Sequence, residues 1–118
     1  MTENMKRVTE KAVAHYGKEH QVKKCIEEIG EFLQALSKYS LLVDKHKNWK
    51  TSTSGLATIE DRYLLQDIKQ GEKHLQEEIA DCIIMLQQMR LVYGPEGVDW
   101  WTNFKLERLE REIEKESV

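Results

Sequence analysis

The sequence predicts an all-α protein: an antiparallel bundle of four main helices, with a long insert of loop and short helix between the second and third. Three observations carry that expectation. The 118 residues include one proline and six glycines, so strong helix breakers are rare. Glu, Lys, Leu and Gln are abundant, and these side chains lose little rotamer freedom in a helix. Apolar residues recur at threes and fours and do not alternate. The length suits one domain, 1–118, long enough for a real core.

The first helix is expected over Thr2–Tyr16, ended by Gly17, a residue suited to a C-cap. A longer one runs from Glu19 to Tyr39, with Val22, Cys25, Ile29, Phe32, Leu33 and Leu36 on one face. From Ser40 the pattern decays, and Thr51–Gly55 reads as an exposed loop. Thr58, three residues before Asp61, resembles an N-cap with an acidic first turn, so a short helix is expected over Ile59–Lys69. Gly71 interrupts it, and residues 40–72 form the insert. The third strong helix spans Glu72–Tyr93, turning Leu75, Ile79, Cys82, Ile83, Leu86 and Met89 inward. Gly94-Pro95-Glu96-Gly97 stops it. A last helix covers Val98–Glu116, with Leu106, Leu109 and Ile113 as its apolar stripe and a charged, solvated end.

The charge balance excludes some functions. Eighteen basic and 21 acidic residues leave a net charge of −3, and no basic block stands out, which argues against bulk electrostatic nucleic-acid binding. No apolar run approaches the roughly 18 residues of a membrane span, and Met1–Arg7 lacks a signal-peptide core. Cys25 and Cys82 form no CxxC pair and read as small buried hydrophobes in a reducing cytoplasm.

The chemistry lies in an internal repeat. Glu27-Glu28-Ile29-Gly30-Glu31 aligns without gaps on Glu77-Glu78-Ile79-Ala80-Asp81, fifty positions later, and a leucine follows each (Leu36, Leu86). At about 100° per residue, Glu28 borders the apolar stripe of its helix, and Glu31 lies about 60° away on the opposite side from that stripe. Glu78 and Asp81 repeat this phase. If the two stripes pack together, four carboxylates line one edge of the contact. Partly buried, they would repel one another and take up protons. A hard divalent cation removes that conflict, and all-oxygen ligands favour Mg²⁺, Mn²⁺ or Ca²⁺ over zinc. Mg²⁺ with few protein ligands keeps positions for water and phosphate oxygens.

EExxE (Glu27, Glu28, Glu31) followed by ExxD (Glu78, Asp81) resembles the signature of the MazG-like all-α nucleoside triphosphate pyrophosphatases. The likeness extends to His15-Tyr16-Gly17, Gln21, Ala35–Lys38 and Phe104–Leu109, leaving only residues 40–72 aside. Forty-six residues separate Glu31 from Glu78, more than compact members of the family carry. The resemblance implies Mg²⁺-dependent, with Mn²⁺ as an alternative ion, hydrolysis of a nucleoside triphosphate in nucleotide-pool housekeeping. Water attacks the α-phosphorus, giving a nucleoside monophosphate and pyrophosphate. Glu28, Glu31, Glu78 and Asp81 would hold the metal, with Glu27 and Glu31 as catalytic candidates, Glu27 either to orient or deprotonate the water or to stand behind the metal ligands. Lys105 and Arg108 match the family's basic positions, with Lys24 and Arg90 as further cations for the triphosphate. Trp101, with Trp100, offers a face for the base, and Trp49 sits in the insert. Members of the family assemble as dimers or tetramers, so a homodimer or homotetramer is expected.

Three rivals stand beside this. A di-iron carboxylate bundle wants Glu-x-x-His on two helices, and none of His15, His20, His46 and His74 stands three residues after a glutamate. A zinc site from Cys25, Cys82, His20 and His74 would need the cysteines to turn away from the core. A non-catalytic helical adaptor or dimerisation module asks nothing of the acids.

Overall fold

The computed structural model describes residues 2–52 and 59–117, with side chains outside 49–60. Four helices follow one another: α1 (Glu3–Tyr16), α2 (Lys18–Ser52), α3 (Ile59–Tyr93) and α4 (Pro95–Glu116). No strand occurs among the described residues, and no helix among them is long and apolar enough to cross a membrane. The all-α expectation holds.

Local chemistry sets the ends. The Thr2 hydroxyl accepts the Met5 N–H at 3.1 Å and caps α1, satisfying one of the orphan donors of the first turn. Gly17 closes α1 with φ 85° and ψ 159°, a conformation nearly confined to glycine. Its N–H donates to the Val13 carbonyl at 2.9 Å. Gly94, at φ 117°, separates α3 from α4, and Pro95 opens α4 where its missing N–H costs nothing.

The body of the protein is the antiparallel hairpin of α2 and α3, the most extensive helix pairing of the chain. Its register shows in the contacts along its length. Gln21 Nε2 donates to Gln88 Oε1 at 2.6 Å near one end. The Cys82 thiol donates to the Glu28 carbonyl at 3.6 Å in the middle. Tyr39 and Leu42 pack over Gly71 further along. Cys25, Ala35, Leu64, Leu75, Cys82 and Met85 are buried along this seam, and both thiols are free. α1 packs chiefly on α3 and also touches α2.

The insert differs from expectation. α2 continues through Ser40 to Ser52, and α3 runs unbroken from Ile59 through Gly71 to Tyr93. Residues 40–52 and 59–72 therefore lengthen the hairpin, and the short helix over Ile59–Lys69 is the start of α3. Gly71 does not interrupt the helix: a Cβ there would meet Tyr39 Cδ2 at 3.4 Å and Leu42 Cδ1 at 3.6 Å. Those are ordinary van der Waals distances, so the position lies in the seam against α2 without requiring glycine. The expected Thr58 cap and the Thr53–Gly55 part of the expected loop lie outside the described residues, as does the Trp49 side chain.

α4 begins at Pro95, earlier than the Val98 expected, and packs differently. It touches only α3 among the described helices, and none of its residues is buried. Each 35-residue hairpin helix is about 52 Å long at 1.5 Å per residue, matching the longest dimension of 55 Å. Two adjacent helices account for only about 20 Å across, yet the second dimension is 44 Å. α4 therefore leaves the hairpin as an arm. Arg90 fixes its base, donating from Nε and a terminal nitrogen to the two Asp99 oxygens at 2.8 and 2.6 Å.

Gly17 gives a direct test of the α1–α2 turn. An alanine there has to adopt a backbone region costing about 1–3 kcal/mol. Gly17→Ala should lower the urea midpoint by that much stability without changing the slope of the transition, as read by far-ultraviolet circular dichroism.

Candidate metal centre

The hairpin register brings the repeated acids together. A carboxylate oxygen from each of Glu28, Glu31 and Glu78 lies within 4.8 Å of the others. Glu28 and Glu78 are 9% and 8% exposed, while Glu31 is open to solvent. The convergence follows from phase: the two helices present equivalent faces to each other, so residues at equivalent positions meet. Asp81 follows Glu78 by one turn, as Glu31 follows Glu28, but it is exposed and stands outside this group of three.

Each buried glutamate has one oxygen paired and one bare. Glu28 Oε1 takes the Lys24 ammonium at 3.2 Å, and Glu78 Oε1 faces His74 Nε2 at 3.7 Å. The Oε2 atoms of both are buried without a hydrogen-bond partner. A buried carboxylate oxygen left unpaired is costly, and two of them occur in one cluster. The donor set suits a hard cation: three carboxylates, with no sulfur or imidazole among the converging atoms.

The electrostatics record the crowding. The Glu31 carboxyl is raised, first by the negative charge of Glu28, then by burial and by Glu78 and Glu27. The Lys24 ammonium is raised by its hydrogen bond to Glu28 and by the charges of Glu27 and Glu28. Burial pushes the Cys82 thiol up, with nearby acids adding to it, so the sulfur stays protonated and donates.

The remaining candidates fall into two groups. Glu27 is exposed beside the cluster, 3.6 Å from Lys24. Lys24 itself is held by Glu27 and Glu28. Lys105, Arg108 and Trp101 stand on α4, which makes no contact with α2 among the described residues. Arg108 lies 4.0 Å from Glu112 of its own helix. Trp101 packs edge-on against Trp100 and Phe104, with centroids 4.9 and 5.8 Å away. Arg90, engaged with Asp99, is not a free cation for phosphate. One chain thus brings Lys24 to the acids but not Lys105, Arg108 or Trp101, which stand on α4.

His74, which the sequence offered only for the disfavoured zinc site, is the neighbour of the cluster that sequence reasoning missed. Its signal was in the repeat: fifty positions separate it from Lys24, and each stands four residues before the buried glutamate of its helix. Among the described residues the histidines and cysteines form no ligand set, and Cys82 is committed to the Glu28 carbonyl.

Comparison of the chain with protein-family models, curated proteins and solved structures finds no match.

Removing one charge of the cluster should stabilise the metal-free protein. The folded state raises Glu31 above its ordinary value of 4.5, so it holds that proton more tightly than the unfolded chain does. Stability is therefore lost as pH rises from the ordinary value through the raised one. Glu31→Gln escapes that loss. Its melting temperature without metal should exceed that of wild type at pH 7, and the gap should close below about pH 4.

Proposed function

We propose that the chain is a divalent-cation-dependent nucleoside triphosphate pyrophosphohydrolase of the MazG-like kind, acting in the cytoplasm. The observation that carries this reading is the pair of bare, buried Oε2 atoms of Glu28 and Glu78 in a cluster completed by Glu31. Glu28, Glu31 and Glu78 would hold Mg²⁺ or Mn²⁺, with Asp81 turning in from the adjacent turn as the fourth acid. A bound cation supplies charge stabilisation on phosphate oxygens and lowers the pKa of water.

The residues divide the remaining work. Glu28 and Glu78, fixed in the helix seam, set the position of the site. Glu31 is solvent-facing at the edge of the cluster, where an attacking water can approach it. Glu27, beside it, orients that water. Lys24 neutralises part of the acid charge when the site is empty, and can turn to a phosphate oxygen when a cation takes Glu28. Lys105, Arg108 and Trp101 are assigned to triphosphate and base, with the position of α4 deciding whether they reach it. The substrate is a nucleoside or deoxynucleoside triphosphate, cleaved between the α and β phosphates. An adaptor without catalysis is the second reading, favoured by α4, none of whose residues is buried.

Two measurements test this. Mn²⁺ at about a hundred times its Kd adds ~2.7 kcal/mol to stability, on the order of 10 °C in melting temperature for a domain of this size. That shift should vanish in Glu78→Gln, and a wild type indifferent to Mn²⁺ and Mg²⁺ means a scaffold. Incubation with Mg²⁺ and a panel of triphosphates should then release monophosphate and pyrophosphate, with loss of turnover in Glu31→Gln and Asp81→Asn. Diphosphate and orthophosphate as products would move the cleavage site, and inactivity across the panel would sink the enzymatic reading.

A further inference from the structure

α4 stands off the hairpin at a definite angle. Its 22 residues make a rod of about 33 Å, and one helix diameter of about 10 Å added to that accounts for the 44 Å of the second dimension. The arm therefore lies roughly across the hairpin. Two features keep it there. Gly94, at φ 117° and ψ 103°, joins it to α3 through a backbone region that other residues rarely enter. Arg90, just before that joint, grips Asp99, just after it, through two hydrogen bonds of 2.8 and 2.6 Å. The grip is bidentate and sets the angle, but Asp99 is 53% exposed, and ion pairs open to water are weak tethers.

Helical rise fixes where the arm lands when it folds back. Both helices advance 1.5 Å per residue, so each position of α4 meets the α3 position equally far from Gly94. Arg108, fourteen positions after Gly94, reaches the level of Ala80, fourteen before it. Ala80 lies between Glu78 and Asp81. The seam register, Gln21 with Gln88 and Cys82 with Glu28, sets Gly30 across from it, between Glu28 and Glu31. Lys105 arrives one turn away, at the level of Ile83 and Glu27. At about 100° per residue Lys105, Trp101 and Arg108 fall within about 60° of one another, whereas Asp99 lies about 180° from Arg108. The latch thus holds the arm by the side opposite its cations, while Glu27, Glu31 and Asp81 stand exposed on the hairpin.

We infer that α4 is a lid, hinged at Gly94 and latched open by Arg90–Asp99, that closes on the acid flank of its own hairpin when a cation and a polyphosphate bind there. The inference rests on the proposed cation site and adds its regulation. The exposed acids already attract the arm in the empty hairpin, and the latch opposes them. A bound magnesium polyphosphate is itself an anion, and its oxygens offer Arg108 and Lys105 charge-assisted hydrogen bonds that replace the one lost at Asp99.

Distances between nitroxides at Gln34→Cys and Glu110→Cys test this, with the labelled full chain in a large excess of unlabelled chain so that only intrachain pairs count. Cys25 and Cys82 are buried and burial raises both thiols, so the label goes to the new sites. An arm across the hairpin sets the two labelled positions roughly 35 Å apart, and a closed arm brings them under about 20 Å. Wild type should show the long distance alone, and the short one with Mg²⁺ and inorganic tripolyphosphate. Asp99→Asn, which cuts the latch, should show the short distance without ligand and lose it in about 1 M salt, where charges are screened beyond about 3 Å. Lys105→Ala combined with Arg108→Ala should stay open throughout. An Asp99→Asn chain that keeps the long distance overturns the latch. A wild type that stays open with Mg²⁺ and tripolyphosphate, while Mn²⁺ still raises its melting temperature, overturns the lid and leaves the cation site standing. The absence of any Mn²⁺ shift overturns both. A short distance found instead between singly labelled chains in a mixture gives the arm to another copy and overturns closure within the chain.

Discussion

Three carboxylates are held together by the register of α2 against α3, and most of the molecule is arranged around that pairing. Gln21 on Gln88, Cys82 on the Glu28 carbonyl, and Tyr39 and Leu42 over Gly71 hold the two helices at several points along the hairpin. A helix fixed at separated points cannot slide, so Glu28 and Glu78 stay in the seam although their charges repel. The seam supplies the stability, and the acids draw on it. Such a local conflict, maintained by surrounding structure, is the usual mark of a site with a ligand to accommodate.

The pairing also explains why the two buried glutamates are half satisfied. Lys24 and His74, one turn earlier on their helices, each reach one oxygen of the glutamate below them. Neither partners the second oxygen, which is buried in both glutamates. A neutral helical scaffold has no reason to keep two carboxylates in this position; Gln or Leu would fill the volume without the desolvation cost. The adaptor reading must treat that cost as incidental. The proposed metal site makes it the purpose.

Much of this was legible in the sequence, and the failures share a cause. The helices α1 and α3 end where Gly17 and Gly94 put them, because backbone conformation at a glycine is a local matter. The convergence of Glu28, Glu31 and Glu78 followed from phase alone. The insert was misjudged because residues 40–52 carry a weak apolar pattern, and their helix is maintained by contact with the start of α3, to which a local pattern is blind. Gly71 shows the same limit: a glycine that reads as an interruption lies within a continuous helix, packed against Tyr39 and Leu42. Leu33, Ile83 and Leu86 were assigned to the core because periodicity identifies an apolar face without saying how much of it one neighbour covers. Their exposure comes from the width of the stripe, which exceeds the contact of a two-helix seam.

That excess width connects the fold to the site. A hairpin alone buries one line of residues, and its acids would stand on a thin and mobile support. The arm adds a further consequence. α4 carries Lys105, Arg108 and Trp101 away from the acids of its own hairpin, so in one chain Lys24 is the expected cation that stands at the proposed site. Further positive charge for a triphosphate would come from a swing of α4 about the Gly94 turn, which requires releasing the Arg90–Asp99 pair, or from the arm of another copy. In either case the hairpin provides the metal ligands, and the placement of α4 determines whether the site can hold a nucleotide.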